Sequence, residues 1–362
     1  MSTKHAPSAS SGLFLSSLSI IIGTLCLSLG FQALAGREKV LLQKMPLPHF
    51  FQKQRVTIAV TDSGLGGLSV LAEAVRKLKE AGIFKQADFV YFNALFSNEG
   101  GYNSLRTREE KIRVFDSALE SLQSNFRPDI VLIACNTLSV LYQETGFSKR
   151  SEIPVVRIVD PGLELIAGAM REHPEASVII FGTPTTIAER TFEEGLANLG
   201  FAAVRIHAQS CPELESFIEN DPQSEETGML ILGFVSEAIQ RLPSPSPPLL
   251  VSLNCTHYGY SLPFWEKALE ESAVKPLAIL NPNPRMTDVL INGEYKGRFN
   301  KTETSIRVVS MVEISPRKVD SLAPWLERIS PETAAALRRY EKRPGLFEWK
   351  GYVSRQMEED VP

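Results

Sequence analysis

The sequence predicts an α/β fold of two similar domains, each built on a mostly parallel β-sheet. Apolar segments without inside/outside alternation, such as residues 56–61 and 129–134, are separated by segments of helical periodicity. This pattern is typical of strands that helices cover on both faces. An internal repeat indicates two halves, because the spacing from Asp62 to Cys135 is only one residue longer than that from Thr183 to Cys255. We expect a pseudo-twofold arrangement with the active site in the interdomain cleft.

The predicted elements alternate along the chain from residue 55 onward. The first strand, 56–61, is followed by a helix with Leu71, Val75 and Leu78 on one face. Later strands are the segments DFVYF, DIVLIA, PVVRIV, SVIIF, AVRI, PLLVSL and LAIL. The domains are expected to comprise 55–155 plus about 260–296 for the first and 156–259 for the second, with a C-terminal extension at 297–362.

The C-terminal extension is charged and contains several prolines, among them Pro316, Pro324 and Pro331. Its sequence indicates no chemistry of its own. We hypothesise that it docks a partner or covers the cleft.

The composition excludes several classes of protein. The chain has 362 residues, of which 43% are hydrophobic and 22% charged, so it can bury a sizeable core. A net charge of -4 without a basic run argues against a nucleic-acid partner. The four cysteines include no CxxC pair and the five histidines suggest no ligand set, so neither a disulfide framework nor a metal site is predicted.

The N-terminal residues resemble a targeting segment. Residues 12–35 carry no charge and end in Ala33-Leu34-Ala35, a small-x-small pattern that suits signal peptidase. We therefore predict a signal peptide at 1–35, a linker at 36–54 and a periplasmic location. The alternative is an uncleaved membrane anchor, which would be the chain's only contact with a membrane.

Cys135 and Cys255 are the strongest candidates for chemistry. Each ends an apolar strand and precedes a polar turn, in the segments LIACNT and SLNCTH. Helix N-terminal amides can lower the pKa of a thiol, which would make these two cysteines useful acids or bases. The alternative for each is a small buried apolar side chain. Cys211 lacks the strand-end context.

The glycine-rich segment DSGLGGLSV at 62–70 predicts a strand-to-helix turn whose amides can bind an anion such as a carboxylate. It lacks the residues of a nucleotide-binding loop. Asp62 is interpreted either as a turn cap or as a carboxylate near the thiol or a substrate ammonium. His257 is interpreted as a proton partner, a substrate contact or a helix-start cap.

Six segments resemble the cofactor-independent aspartate/glutamate racemase superfamily, and glutamate racemases in particular. They are TDSGLGGLSV, GGYNSLR, IACNTLSV, FGTPTTIAERTFEEGL, SCPELESFIE and LNCTHYGY, in the family's order. The resemblance implies a racemase without pyridoxal phosphate or metal, acting on glutamate or, as a second choice, aspartate. One cysteine thiolate would remove the Cα proton while the opposite thiol reprotonates the other face. It also implies a role in supplying D-amino acids to the peptidoglycan cell wall, and leaves a homodimer open.

The resemblance assigns roles residue by residue. It places the two bases on Cys135 and Cys255, and Glu219 near the second thiol. The remaining matches are expected to contact the amino acid or the thiols: Asp62, Ser63, Tyr102, Asn103, Asn136, Thr137, Thr256 and His257.

Four positions depart from the family's motifs: Asn103, Asn254, Gly259 and Asn281. They flank the expected pocket and so bear on the substrate more than on the chemistry. The alternatives are a superfamily member with different chemistry, such as a hydantoin racemase, isomerase or decarboxylase, or a non-catalytic amino-acid binding protein.

Overall fold

Two sheets of parallel strands organise the protein. The computed structural model describes residues 47–243 and 247–353. The first sheet has the spatial order β10 (Glu341–Lys342), β9 (Glu303–Ser310), β2 (Gln86–Asn93), β1 (Arg55–Asp62), β3 (Ile130–Ile133) and β4 (Val155–Arg157). The second has the order β6 (Ile206–Ser210), β5 (Ser177–Gly182), β7 (Leu249–Asn254) and β8 (Ala278–Leu280). Every pairing between these strands is parallel, which confirms the predicted α/β class.

Helices connect the strands. In chain order they are α1 (Pro48–Gln52), α2 (Leu68–Ala81), α3 (Arg108–Phe126), α4 (Asn136–Leu141), α5 (Gly146–Arg150), α6 (Val159–Glu172), α7 (Pro184–Ala188), α8 (Thr191–Asn198), α9 (Leu214–Asn220), α10 (Glu225–Gln240), α11 (Leu262–Glu271), α12 (Pro282–Met286), α13 (Pro316–Glu327) and α14 (Pro331–Arg338). In the parts of the chain that the structure describes, no helix is both long and apolar enough to span a membrane.

Helix α2 illustrates how sequence periodicity becomes packing. Its buried Leu68, Leu71, Val75 and Leu78 recur at three- and four-residue spacing, so they lie on one face of the helix. The helix ends at Gly82, whose left-handed backbone (φ 58°) is the usual C-terminal conformation for glycine. The predicted strand–helix unit is therefore present where the sequence indicated it.

The internal repeat corresponds to a repeat of topology. The order β2-β1-β3-β4 in the first sheet has its counterpart in β6-β5-β7-β8 in the second. Asp62 ends β1 and Cys135 follows its neighbour β3, while Thr183 follows β5 and Cys255 follows its neighbour β7. The equal spacing thus reflects two adjacent strand ends in each half.

Four strands do not follow the predicted domain ranges: β4, β8, β9 and β10. β8 falls within 260–296, assigned to the first domain, yet it pairs with β7 of the second sheet. β9 falls in the C-terminal extension, yet it pairs with β2 along its whole length, from Gln86↔Glu303 to Asn93↔Ser310. The extension is therefore part of the first sheet.

The N-terminal predictions are only partly within the described residues. The signal peptide at 1–35 and most of the linker at 36–54 lie outside them. Within the end of the predicted linker, helix α1 buries Phe50 and Phe51 beside Phe84. Aromatic burial of this kind anchors the segment to the core.

Candidate active site

Two cysteine loops lie at the carboxyl ends of the two sheets. Cys135 follows β3 as the N-cap residue of α4, and Cys255 follows β7. Both are nearly buried, with 5% and 6% of their surface exposed. A cavity of about 120 Å³ lies beside them, and its lining includes Ser63 and His257, which contact Cys135 and Cys255 respectively. Side chains of both halves therefore line one small cavity.

The Cys135 thiol lies in a buried, mostly neutral environment. Its sulfur is 3.1 Å from the hydroxyl oxygen of Ser63. Burial, followed by the charge of Asp62, raises the pKa of Cys135 to about 12, and the hydrogen bond from Ser63 offsets only part of that rise. The thiol is thus protonated at neutral pH in the ligand-free protein.

The Cys255 thiol lies next to a charged pair. Its sulfur is 3.6 Å from Nδ1 of His257, and Nε2 of the same ring is 2.8 Å from Oε1 of Glu219. Burial, followed by the negative charge of Glu215, raises the pKa of Cys255 well above its usual range. The charge of Cys135 also contributes to this rise, so the two thiols are within electrostatic range of each other.

Glu219 and His257 form a buried ion pair. Burial alone would raise the pKa of Glu219, but hydrogen bonds and charge from His257 and Lys318 outweigh it and lower that pKa to about 2. For His257, burial would lower the pKa, and the hydrogen bond to Glu219 outweighs it and raises that pKa. The raised pKa of His257 favours the protonated ring beside an ionised Glu219, and a ring protonated at both nitrogens presents its Nδ1–H to the Cys255 sulfur.

The glycine-rich turn binds a carboxylate, but one that belongs to the protein. The amide of Leu65 donates to Oε1 of Glu219 at 2.6 Å. A Cβ added to Gly64 would collide with Glu219 Oε1, and one added to Gly66 would lie 2.6 Å from Nδ1 of His257. Glycine is required here because the turn packs directly against the ion pair.

Asp62 connects the two halves rather than contacting a thiol directly. Its buried carboxylate accepts hydrogen bonds from the amide of Gly64 at 3.1 Å and the hydroxyl of Thr256 at 2.9 Å. Burial, as the largest effect, raises the pKa of Asp62. Because Thr256 donates its hydroxyl proton to Asp62, only its acceptor lone pairs remain for the amino acid it was predicted to bind.

Asn283 is a positioning residue that the sequence analysis missed. Its Nδ2 donates to Oγ of Ser69 and to the carbonyl of Thr256, both at 2.9 Å. The bonds tie the Cys255 loop to helix α2. Its only sequence signal is its place behind the strand LAIL, at the start of α12.

Tyr102 and Asn136 carry buried polar atoms without a partner. Among the described residues, none bonds to the hydroxyl of Tyr102 or to either amide atom of Asn136. Asn136 directly follows Cys135, and the pKa of Tyr102 is raised well above its usual range by burial and then by the charge of Cys135. Buried polar groups without partners are costly, and a polar ligand beside the first thiol would supply partners for these two side chains.

Two residues predicted to bind substrate are bonded within the protein. Asn103 donates to Glu215 at 3.1 Å and accepts from Thr185 at 2.8 Å, which joins the loop after β2 to α9 and α7. Thr137 shares a 2.8 Å hydrogen bond with Thr183. Both therefore hold the two halves together in the ligand-free state.

The departures from the family's motifs include one compensating pair. A Cβ at Gly259 would lie 2.7 Å from Nδ2 of Asn281, so the asparagine side chain fills the space that a larger residue at 259 would need. Asn281 itself caps α12 by accepting from the amide of Asn283. Asn254 is fully buried, and neither of its amide atoms has a partner among the described residues.

The third cysteine that the structure describes is Cys211. Cys211 is fully buried and directly follows β6, so the expectation that it lacks a strand-end position is wrong; its sulfur lies 3.9 Å from the carbonyl oxygen of Gln209. Within residues 47–243 and 247–353, no group of three metal-ligating side chains is close enough to hold an ion.

Comparison with known proteins identifies the family. The profile of the Asp/Glu/Hydantoin racemase family matches residues 67–258. A glutamate racemase of Cereibacter sphaeroides is 30% identical over 59% of this chain and 77% of its own length. A glutamate racemase of Clostridium botulinum is 27% identical over 74% of this chain and 99% of its own length.

Solved structures share the fold. The glutamate racemase of Francisella tularensis in complex with D-glutamate superposes with a TM-score of 0.60 at 17% identity, over 80% of this chain and 98% of that one. A glutamate racemase isoform of Bacillus anthracis gives 0.58 at 22% identity, over 76% and 95%. The matched family and relatives make this protein a racemase, an isomerase. The chain belongs to the Asp/Glu/Hydantoin racemase family.

Proposed function

We propose that the protein is a cofactor-independent amino-acid racemase in which Cys135 and Cys255 act as acid and base on opposite faces of Cα. The observation that carries the proposal is the pair of strand-end thiols, each contacting a different residue of one cavity lining, Ser63 on one side and His257 on the other. The two thiols follow equivalent strands of the two halves, β3 and β7.

The reaction is a balanced exchange of protons. One cysteine, as thiolate, takes the α-proton and leaves a carbanion at Cα; the other, as thiol, gives its proton to the opposite face. The configuration inverts and the two cysteines exchange protonation states. The raised pKa of both free thiols means that substrate binding must create the thiolate, and the ammonium group of an amino acid favours it by its positive charge.

The two thiols have different partners for this step. Cys255 has the ring of His257 at 3.6 Å and a hydrogen bond from the backbone amide of His257, which lowers the pKa of the thiol; in its protonated form the ring would further stabilise a thiolate there. Cys135 has the neutral hydroxyl of Ser63 and the unpartnered groups of Asn136 and Tyr102, which are free to hold the substrate.

We propose glutamate as the substrate and aspartate as the second candidate. The support is the glutamate racemases among the relatives and the D-glutamate in the Francisella tularensis structure. The substrate has to be tested with a panel of amino acids, because four positions near the expected pocket depart from the family's motifs: Asn103, Asn254, Gly259 and Asn281.

Export is a separate proposal. It rests on the uncharged residues 12–35 and the Ala33-Leu34-Ala35 ending. N-terminal sequencing of the protein from a periplasmic fraction tests it. Cleavage after Ala35 supports the proposal, and an intact N-terminus in the membrane fraction supports the anchor instead.

The deciding experiment is proton NMR in deuterium oxide with L- and D-glutamate and L- and D-aspartate, combined with polarimetry. Wash-out of one α-proton signal together with loss of optical rotation is expected. Cys135→Ser and Cys255→Ser should each abolish racemisation, whereas Cys211→Ala, the matched control, should retain it. If the folded, reduced protein exchanges no amino acid, the proposal is wrong, and binding without exchange would favour a receptor.

A further inference from the structure

Helix α13 brings a lysine from the C-terminal extension to the candidate site. The helix spans Pro316–Glu327, beyond residues 67–258 that match the family profile. Lys318 lies in its first turn and lines the same cavity as Ser63 and His257. Its ammonium donates to Oε2 of Glu219 at 2.7 Å.

The helix is attached by other contacts as well. Ser321 donates to the backbone carbonyl of Glu219 at 2.8 Å, and Arg317 donates to that of Asn220 at 3.3 Å. These two bonds hold the helix on α9 through backbone atoms. Within the described part of the extension, only Lys318 bonds to the Glu219 side chain.

The Glu219 carboxylate has a complete set of partners only with this lysine. Oε1 is bonded to the amide of Leu65 and to His257, and Oε2 to Lys318. The side chain of Glu219 is 7% exposed and that of Lys318 24%, so water replaces the lysine poorly. A buried carboxylate oxygen without its donor would rotate toward another partner, and Oε1 would then lose its geometry with His257.

We infer that Lys318 is a positioning residue for the Cys255 half of the site, holding Glu219 so that Glu219 holds His257 against the thiol. The inference rests on the proposed function, since it assigns the lysine to one of the two proposed bases. The C-terminal extension then helps to position the side chains around one of the two proposed bases. The Cys135 half is connected to this chain of bonds through the turn from Ser63 to Leu65, so we expect Lys318 to affect it less.

The first test is thiol alkylation of the ligand-free, full-length protein. Iodoacetamide is applied to the wild type, Lys318→Met and Lys318→Arg, and the Cys255 and Cys135 peptides are followed separately by mass spectrometry. We expect Lys318→Met to slow alkylation of Cys255 about tenfold, the scale of one charge-assisted hydrogen bond, and to leave Cys135 within about twofold. Lys318→Arg should restore most of the rate.

The matched control is Lys342→Met, which removes an exposed lysine of the same extension that pairs with Glu313. It should leave both rates unchanged. If Lys318→Met does not fold, Lys318→Gln removes the charge while keeping a donor. Unchanged alkylation of Cys255, or equal slowing of both cysteines, would overturn the inference.

The second test uses racemisation by the intact enzyme. In the Lys318→Met variant, proton transfer at Cys255 should become slower. This transfer then limits the overall rate more strongly for racemisation of either enantiomer. In Lys318→Met, kcat should therefore fall about tenfold with less change in KM. The α-deuterium isotope effect should rise for the enantiomer that Cys255 deprotonates and fall for the other. Isotope effects that move in the same direction would count against positioning. Alkylation needs no turnover, so it tests Lys318 even if the wild type racemises nothing; the two failures remain distinct.

Discussion

The hydroxyl of Thr256 donates a 2.9 Å hydrogen bond to the carboxylate of Asp62, which joins the Cys255 loop of the second half to the end of β1 in the first. Both residues are almost completely buried, with 2% and 0% exposure. Since Asp62 also accepts from the amide of Gly64, one carboxylate sets the relative position of the glycine-rich turn and the second cysteine loop. The bond therefore holds the loop that carries Cys255 against the end of β1.

Thr256→Val should therefore reduce both stability and activity. The substitution keeps the shape but leaves a buried carboxylate oxygen of Asp62 without its donor, at a cost of about 1–3 kcal/mol in the free energy of unfolding. We expect kcat to fall more than about tenfold because the Cys255 loop shifts. Urea unfolding and racemisation rates measure the two effects. Thr57→Val, on the partly exposed side of β1, is the control and should change neither.

Gly66→Ala should be more damaging than an ordinary glycine substitution. The new Cβ would collide with Oγ1 of Thr256 and lie 2.6 Å from Nδ1 of His257. Either the turn or the ion pair must move, so we expect loss of racemisation and a lower melting temperature. Gly168→Ala in α6 is the control, because nothing lies within 4 Å of its Cβ position. That variant should gain about 0.5–1 kcal/mol. Equal effects of the two substitutions would contradict the packing of the turn.

The sequence predicted the features that local patterns determine. The apolar runs predicted the strands and the loops that follow them, and the internal repeat paired Cys135 with Cys255. The glycine-rich turn was correctly interpreted as an anion site. That the anion is the carboxylate of Glu219 could not be predicted, because the two partners are 154 residues apart and meet only after the halves assemble.

The elements that were missed depend on long-range contacts. β9 has the sequence ETSIRVVS, with polar residues that are exposed in its first half, so it lacks the apolar run that indicated the other strands. Lys318 lies 99 residues from Glu219 and looks like a surface lysine in the sequence. Asn103 lines the cavity, and its bonds to Glu215 and Thr185 could not be predicted because these partners come from a different part of the chain.

The pH dependence of kcat/KM should reflect the high pKa of the free thiols. The pKa of Cys135 is about 12 and that of Cys255 is raised as well, so at neutral pH the free protein contains two thiols and little thiolate. The species with one thiolate becomes more abundant as the pH rises, so kcat/KM should increase between about pH 6 and 10 and fall only when both thiols ionise. A profile measured by circular dichroism that is flat over this interval would argue against thiol bases.

Acid unfolding should expose the contribution of Glu219. Its pKa is lowered from 4.5 to about 2 in the folded protein, so the carboxylate stabilises the fold above pH 4.5, and this stability is lost as the pH falls toward 2. This pKa shift contributes on the order of 3 kcal/mol to the free energy of unfolding at neutral pH. Glu219→Gln should therefore be less stable at neutral pH and lose less further stability below pH 4.5. Urea unfolding at several pH values across this interval measures the change in the free energy of unfolding. Glu313→Gln, which removes an exposed pair, should follow the wild type.

Tyr102→Phe should separate ligand binding from folding. The hydroxyl of Tyr102 is buried and has no partner among the described residues, so the ligand-free protein gains nothing from it. Removing it should leave the free energy of unfolding unchanged or raise it by up to about 1 kcal/mol, because an unpaired polar group no longer has to be desolvated.

The same substitution should impair catalysis, although it does not reduce stability. If the hydroxyl binds the amino acid beside Cys135, Tyr102→Phe should lower kcat/KM about tenfold, the value of one hydrogen bond to a charged group. Tyr352→Phe, at an exposed position, should change neither quantity. Thermal unfolding of the free protein and racemisation kinetics are measured on the same preparations. A loss of stability with unchanged kcat/KM would mean that the hydroxyl serves the fold instead, through a partner such as buried water.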